Sequence, residues 1–213
     1  MSNVAGKPSW HGGLSSLPSE EMSDIRQVFF HNRSYTPIPF LVVMIAFAEP
    51  TAASLVGGAI LALAGEALRF WGVAYAGPLT RVTGSVGAPE LVTSGPFAHT
   101  RNPLYVGNML LYAGVAVMSN ALVPWTLLAT ILFFALQYAS IVSLEEEFLS
   151  KEFGQPYEDY RAAVPRFIPL LHAAPVSRES QRPDWAGARR SERRTLQAIV
   201  LVGLLVVARW VWS

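Results

Sequence analysis

The chain has 213 residues, of which 52% are hydrophobic and only 15% charged, with a formal net charge of +1. Soluble domains carry about 25% charge, so this balance argues against an ordinary soluble fold and for an integral membrane protein. With no cysteine there is no disulfide, thiolate metal site or cysteine nucleophile, and the four histidines are too scattered to hold a metal.

In chain order, residues 1–35 are polar and rich in Ser and Gly, without a signal-peptide pattern. Asp24 to Arg33 predicts a short amphipathic helix with Ile25, Val28 and Phe29 on one face. Residues 37–49 are apolar but too few to cross a ~30 Å core upright. Pro50 opens a second block, 51–77, that is long enough with tilt, so the two read as a hairpin turning near Glu49-Pro50. A polar loop over 78–102 leads to a third block from Pro103 to about Met118. A turn at Ser119-Asn120 follows, then a fourth block from about Leu122 to Leu144. Phe148, Leu149, Phe153, Tyr157 and Tyr160 recur near helical spacing and predict an amphipathic surface helix interrupted at Gly154-Gln155-Pro156. Residues 171–194 form a basic linker, and a last block, Leu196 to Val211, ends in interfacial Trp210 and Trp212. The expected fold is therefore an all-α polytopic membrane bundle of about five transmembrane helices plus a cytoplasmic amphipathic helix. Its divisions are an N-terminal segment (1–35), a membrane core (36–170), the linker (171–194) and a C-terminal helix (195–213).

Charge predicts the orientation. Fourteen of the 16 basic residues fall on one side of a five-span arrangement; the other two, Arg69 and Arg209, lie within apolar blocks. The positive-inside rule puts that side in the cytoplasm, with the N-terminus in and the C-terminus out. The expected location is a bacterial inner membrane. Basic residues hugging a membrane face are not a nucleic-acid groove, and oligomeric state is left open.

Two polar knots carry the candidate chemistry. His99, Arg101, Asn102, Pro103, Tyr105 and Asn108 cluster where the 78–102 loop enters the third block. Pro in a first helical turn, with free N–H groups beside Arg101 and His99, suits an anionic group such as a carboxylate. The same residues would equally serve as a membrane-interface anchor. The second knot, Glu145-Glu146-Glu147, ends the fourth block; its carboxylates are placed to meet a ribose or an amine, or simply to begin a solvated helix. Glu66 and Arg69, spaced i, i+3, can pair on one face of the second block, as a functional pair or as a structural one. Arg166 is held between Pro165 and Pro169 among apolar neighbours, as an anion clamp or a lipid-phosphate contact. Gly84-Ser85-Val86-Gly87 lacks the preceding strand that a dinucleotide fingerprint needs.

Five ordered elements resemble the isoprenylcysteine carboxyl methyltransferase and phospholipid methyltransferase family. They are Gly95-Pro96-Phe97, then Arg101-Asn102-Pro103-Leu104-Tyr105-Val106-Gly107, Glu145-Glu146-Glu147-Phe148-Leu149, Phe153-Gly154-Gln155-Pro156-Tyr157-Glu158-Asp159-Tyr160 and Val164-Pro165-Arg166-Phe167-Ile168-Pro169. The resemblance covers roughly residues 90–170. Asn102 stands where the family usually has His, and the block from Leu196 lies beyond the signature. The resemblance implies methyl transfer from S-adenosylmethionine, bound without a Rossmann fold, to a lipid or small hydrophobic acceptor at the cytoplasmic membrane face. His99, Arg101, Asn102, Pro103, Tyr105, Gly107, Glu145 and Glu146 would shape the cofactor site. Arg166 would face the acceptor, and Glu146 would act as base for an amine. A nicotinamide-dependent membrane reductase of related fold, or a non-catalytic scaffold, are the alternatives.

Overall fold

A computed structural model describes residues 25–77, 90–176 and 181–212. Most of the N-terminal segment (1–24), the Gly84–Gly87 turn, and the cationic Lys7, Arg81 and Arg178 lie outside the described residues. Seven α-helices form the described chain: α1 (Ile25–Asn32), α2 (Pro37–Ala46), α3 (Ala52–Ala76), α4 (Pro103–Ser119), α5 (Trp125–Phe153), α6 (Gln155–Ala163) and α7 (Trp185–Trp212). No strand occurs among the described residues. The helices α3, α5 and α7 are long and apolar enough to cross a membrane, while α2 and α4 are shorter apolar helices. The molecule is a helical membrane bundle, with three full-length candidate spans where the sequence suggests five.

The expected turns are present. Between α2 and α3 the chain reverses at Glu49-Pro50, and Thr51 then caps α3 in a reciprocal box with Ser54. Asn120, in the left-handed conformation, ends α4. Its side chain donates to the Glu49 carbonyl at 2.9 Å, tying the two turns together at one end of the bundle.

The α3–α4 seam is the most extensive helix interface in the molecule, and glycine builds it. Gly58, Gly65 and Gly72 recur every seven residues on α3, and Gly107 and Gly114 do so on α4. A Cβ at Gly65 would lie 2.5 Å from the Gly107 carbonyl oxygen, and one at Gly114 would lie 2.4 Å from the Ala62 nitrogen. Backbones this close leave no room for side chains, as in small-residue packing between membrane helices. Gly107, expected in the cofactor site, therefore belongs to this seam.

Two helices are longer than the sequence suggests. The charged stretch after Leu144 continues α5 to Phe153 instead of starting a separate surface helix. Glu, Leu and Lys are strong helix formers, so nothing there interrupts the turn. The break comes at Gly154 (φ 57°), where α6 departs as the short amphipathic helix. Similarly, α7 begins at Trp185, so the second half of the segment read as a basic linker is helical. That extension carries Glu192 into the bundle, where it is fully buried.

Candidate active site

The first polar knot is assembled by three chain segments. A 3₁₀ turn over Gly95–Ala98 leads through Arg101 into α4, whose first position holds Pro103 without loss of a helix hydrogen bond. The C-terminal part of α5 supplies Glu145 and Glu146, and the segment after α6 supplies Arg166.

Glu146 is the junction. It is buried, and its Oε1 accepts from Arg101 Nε at 3.1 Å and Arg101 Nη2 at 2.8 Å. Arg166 reaches the same carboxylate through Nε, 3.2 Å from Oε1, and through Nη2 to Oε2. Arg101 goes further: its Nη1 donates to the carbonyls of Arg161 (2.8 Å) and Val164 (2.6 Å), and its backbone N–H to the Pro165 carbonyl (2.9 Å). One guanidinium thus ties the entry to α4 to α5 and to the end of α6. The planar fork of Arg suits this multiple role as a Lys ammonium would not.

The neighbouring pair is Tyr105 and Glu145. Tyr105 Oη donates to Glu145 Oε1 at 2.8 Å, and the Tyr105 ring packs on Tyr138 with centroids 4.8 Å apart. Asn102 donates through Nδ2 to the Arg166 carbonyl at 3.0 Å, and Thr100 Oγ1 reaches the same oxygen at 3.1 Å. Where the family usually has His, an amide therefore holds the Arg166 backbone. Outside the membrane helices, Tyr160 donates to the Phe97 carbonyl at 2.8 Å, and burial pushes its phenol well up. Tyr157 is likewise raised to about 12, by burial first and then by the Glu146 charge.

These groups face one cavity of about 710 Å³. Its polar end is lined by Arg101, Asn102, Tyr105, Glu145 and Glu146, with Phe97, Phe148, Tyr157 and Tyr160 beside them. Its apolar end runs between α2, α4 and α7, along Leu41, Leu111, Val115, Ile199 and Val202. Pro103 is also on the wall.

Three expected residues are not on that wall. Gly107 packs against Gly65 and Arg69 in the α3–α4 seam. His99 donates from Nδ1 to the Leu170 carbonyl at 2.8 Å while Leu170 returns its N–H to the His99 carbonyl, and its ring lies on Trp71. This His locks the segment after α6 onto the 3₁₀ turn. Arg166 lies behind Glu146 and turns its guanidinium to that carboxylate.

The structure adds Glu192 and Arg33 to the site and brings Arg69, read from the sequence only as a partner of Glu66, onto its wall beside Asn108 of the first knot. Arg69 lines the middle of the cavity with Asn108 and Glu192. Its Nη2 donates to both Glu192 oxygens at 3.1 and 3.0 Å, its Nη1 to Asn108 Oδ1, and its Nε lies 3.3 Å from Glu66. The Glu66–Arg69 pair is therefore one edge of a larger buried network joining α3, α4 and α7. Arg33, between α1 and α2, also lines the cavity, with its guanidinium 4.2 Å from the Phe30 ring centroid. The signal for Glu192 in the sequence is a lone acid among four arginines (Arg189, Arg190, Arg193 and Arg194) on the helical repeat leading into the last apolar block.

Comparison with known proteins agrees with this core. Residues 53–156, just under half of the chain, match the family model "Phospholipid methyltransferase". The chain is 38% identical over 82 residues to the nickel-cobalt-cadmium resistance protein NccN of Alcaligenes xylosoxydans xylosoxydans, covering 38% of this chain and 37% of that protein. It is 40% identical over 81 residues to the cobalt-zinc-cadmium resistance protein CzcN of Cupriavidus metallidurans, covering 38% and 36%. It is 36% identical over 81 residues to the protein-S-isoprenylcysteine O-methyltransferase of Schizosaccharomyces pombe, covering 38% and 34%. The aligned segment thus spans only a little over a third of each of these relatives. The family resemblance read from the five motifs is borne out.

Proposed function

We propose, from a helical membrane core that matches the phospholipid methyltransferase family, that this chain transfers a methyl group from S-adenosylmethionine to a lipid-like or small hydrophobic acceptor. The observation that carries the proposal is the two-ended cavity: charged and aromatic groups at one end, continuous with an apolar branch between α2, α4 and α7. A polar donor and a greasy acceptor need that combination in one enclosure.

The donor set fits S-adenosylmethionine. Carboxylates suit a sulfonium, an ammonium and ribose hydroxyls. Aromatic side chains suit a purine face, and Arg33 on the cavity wall suits a carboxylate. When bound, the cofactor supplies an electrophilic methyl carbon. Arg101 and Glu146 fix the frame of the polar end, and Glu145, oriented by Tyr105, is presented to the cavity. Phe97, Phe148 and Tyr157 exclude water, which methyl transfer requires. The apolar branch aligns the acceptor with the methyl group.

Arg166 acts in this proposal through Glu146, as a positioning residue, because its guanidinium is engaged behind the cavity wall. A carboxylate acceptor needs no base. For an amine acceptor, Glu145 is the better-placed base, since both Glu146 oxygens already receive guanidinium donors. The same reading keeps this end of the bundle in the cytoplasm, with the N-terminus in and the C-terminus out, by the distribution of basic residues.

The test is calorimetry of the full chain in detergent with S-adenosylhomocysteine and, separately, NADPH, followed by transfer of labelled methyl groups into lipid extracts. Binding of the first compound and a labelled lipid product are expected. Binding of NADPH alone would replace the proposal with a reductase, and binding of neither would leave a scaffold.

A further inference from the structure

The outward face of α7 carries a second feature, separate from the cavity. Arg189, Arg190 and Arg193 head a shallow groove of about 790 Å³ that continues along Leu196, Val200 and Leu204. No acidic residue lines this groove. Among the described residues, none of the three arginines has a carboxylate partner. The opposite face of the same helix is the bundle face: Ala188, Glu192 and Val206 are buried. The groove is therefore an outer surface with three arginines at one end that have no carboxylate partner among the described residues, and exposed aliphatic side chains below them. Val200 and Leu204 are 60% and 62% exposed.

The dimensions match one leaflet of a bilayer. From Arg193 to Leu204 the helix rises about 16 Å, against about 15 Å for half of a hydrocarbon core. The cations sit where the apolar run begins, at headgroup level. Arg forks bind phosphate oxygens in pairs, and basic residues next to a membrane helix attract anionic lipid.

We propose that this face of α7 is a binding site for one anionic phospholipid, with its phosphate on Arg189, Arg190 and Arg193 and an acyl chain along Leu196, Val200 and Leu204. The lipid is a bound partner of the outer surface and does not enter the cavity, so the site stands whether or not the methyl-transfer proposal does. Because the inner face of α7 holds the Glu192–Arg69 link, an occupied groove also braces the helix that walls the cavity.

The experiment is native mass spectrometry of the full chain released from phosphatidylcholine bilayers containing phosphatidylglycerol. The wild type is compared with two variants. One is Arg189→Gln/Arg190→Gln/Arg193→Gln; the other is Leu196→Ala/Val200→Ala/Leu204→Ala, which keeps every charge. Retained phosphatidylglycerol on the wild type is expected, with a fall of at least about tenfold in both variants. Unchanged retention in the aliphatic variant would overturn the site, because the attraction would then be the general one of a basic membrane face. A lipid-free dimer that the arginine variant dissociates would overturn it in favour of a subunit interface. If the arginine variant does not fold, photoactivatable phosphatidylglycerol on the wild type decides: labels within Leu196–Leu204 support the site, and labels elsewhere overturn it.

Discussion

Helices α4 and α7 both pack on α3, yet they are held there by opposite means. Along the seam with α4, glycines bring backbone against backbone, and Gly58, Gly65, Gly107 and Gly114 leave no space for a side chain. On the α7 side, the attachment centres on a buried charge: Arg69 Nη2 grips both oxygens of Glu192, with Asp184 donating its N–H to the Ala74 carbonyl at 2.7 Å nearby. In a bilayer, apolar surface gives little drive for helices to associate, so shape and hydrogen bonding must supply it. The helix within the family match uses shape, and the helix beyond it uses charge.

The contrast can be broken first at the seam. Gly107→Leu puts a side chain where the Gly65 carbonyl oxygen lies 2.7 Å from an ideal Cβ. A loss of more than about 3 kcal/mol is expected, seen as aggregation on size exclusion in detergent; a monodisperse variant with wild-type melting would refute the seam. Glu192→Ala removes the two-oxygen partner of Arg69, leaving it only Glu66 and Asn108, and should lower stability by about 3 kcal/mol, with Glu192→Gln losing roughly half as much. Equal melting of both variants and the wild type would mean that α7 does not depend on the pair.

Smaller effects sharpen the comparison at the cavity. Arg101→Ala and Glu146→Ala should each weaken S-adenosylhomocysteine binding about tenfold, about 1.4 kcal/mol. Unchanged affinity in both would remove them from the site. Arg166→Ala should show a milder loss of the same kind, through a loosened Glu146; full binding with reduced transfer would instead put Arg166 at the acceptor. The smallest effect concerns pH. Tyr157 has a folded-state value raised to about 12, above the usual ~10 of tyrosine. Its contribution is complete below pH ~10 and declines as pH rises from there toward 12. A Tyr157→Phe variant should lose less stability than the wild type across that window, as read by thermal melts at stepped pH.

Much of this arrangement is legible in the chain because the signals are local. Glu49-Pro50, Ser119-Asn120 and Gly154 mark their turns by backbone chemistry, and the ordered motifs around Arg101 and Glu146 bring two distant knots to one place. The parts that are not legible depend on partners. The seven-residue glycine spacing on α3 and α4 has meaning only when the two helices face each other, so Gly107 reads as a site residue within its motif. Glu192 is masked by the arginines around it, and its importance appears only when α7 runs past Arg69. Glu145 and Glu146 look like the start of a new surface helix because polarity changes at Leu144, although the helix geometry does not.

Arg69 lies inside the matched segment, while the carboxylate that grips it in two places lies outside. A cation at that depth is costly to keep without such a companion. Among the described carboxylates, Glu66 alone approaches it from within the matched segment, at 3.3 Å. Arg69 and Glu192 should therefore be inherited together more often than Arg69 and Glu66: homologues that end soon after the Pro165-Arg166-Phe167-Ile168-Pro169 segment should more often carry a neutral side chain at the position of Arg69, and those that keep both the arginine and a last apolar stretch should keep an acid one turn before it.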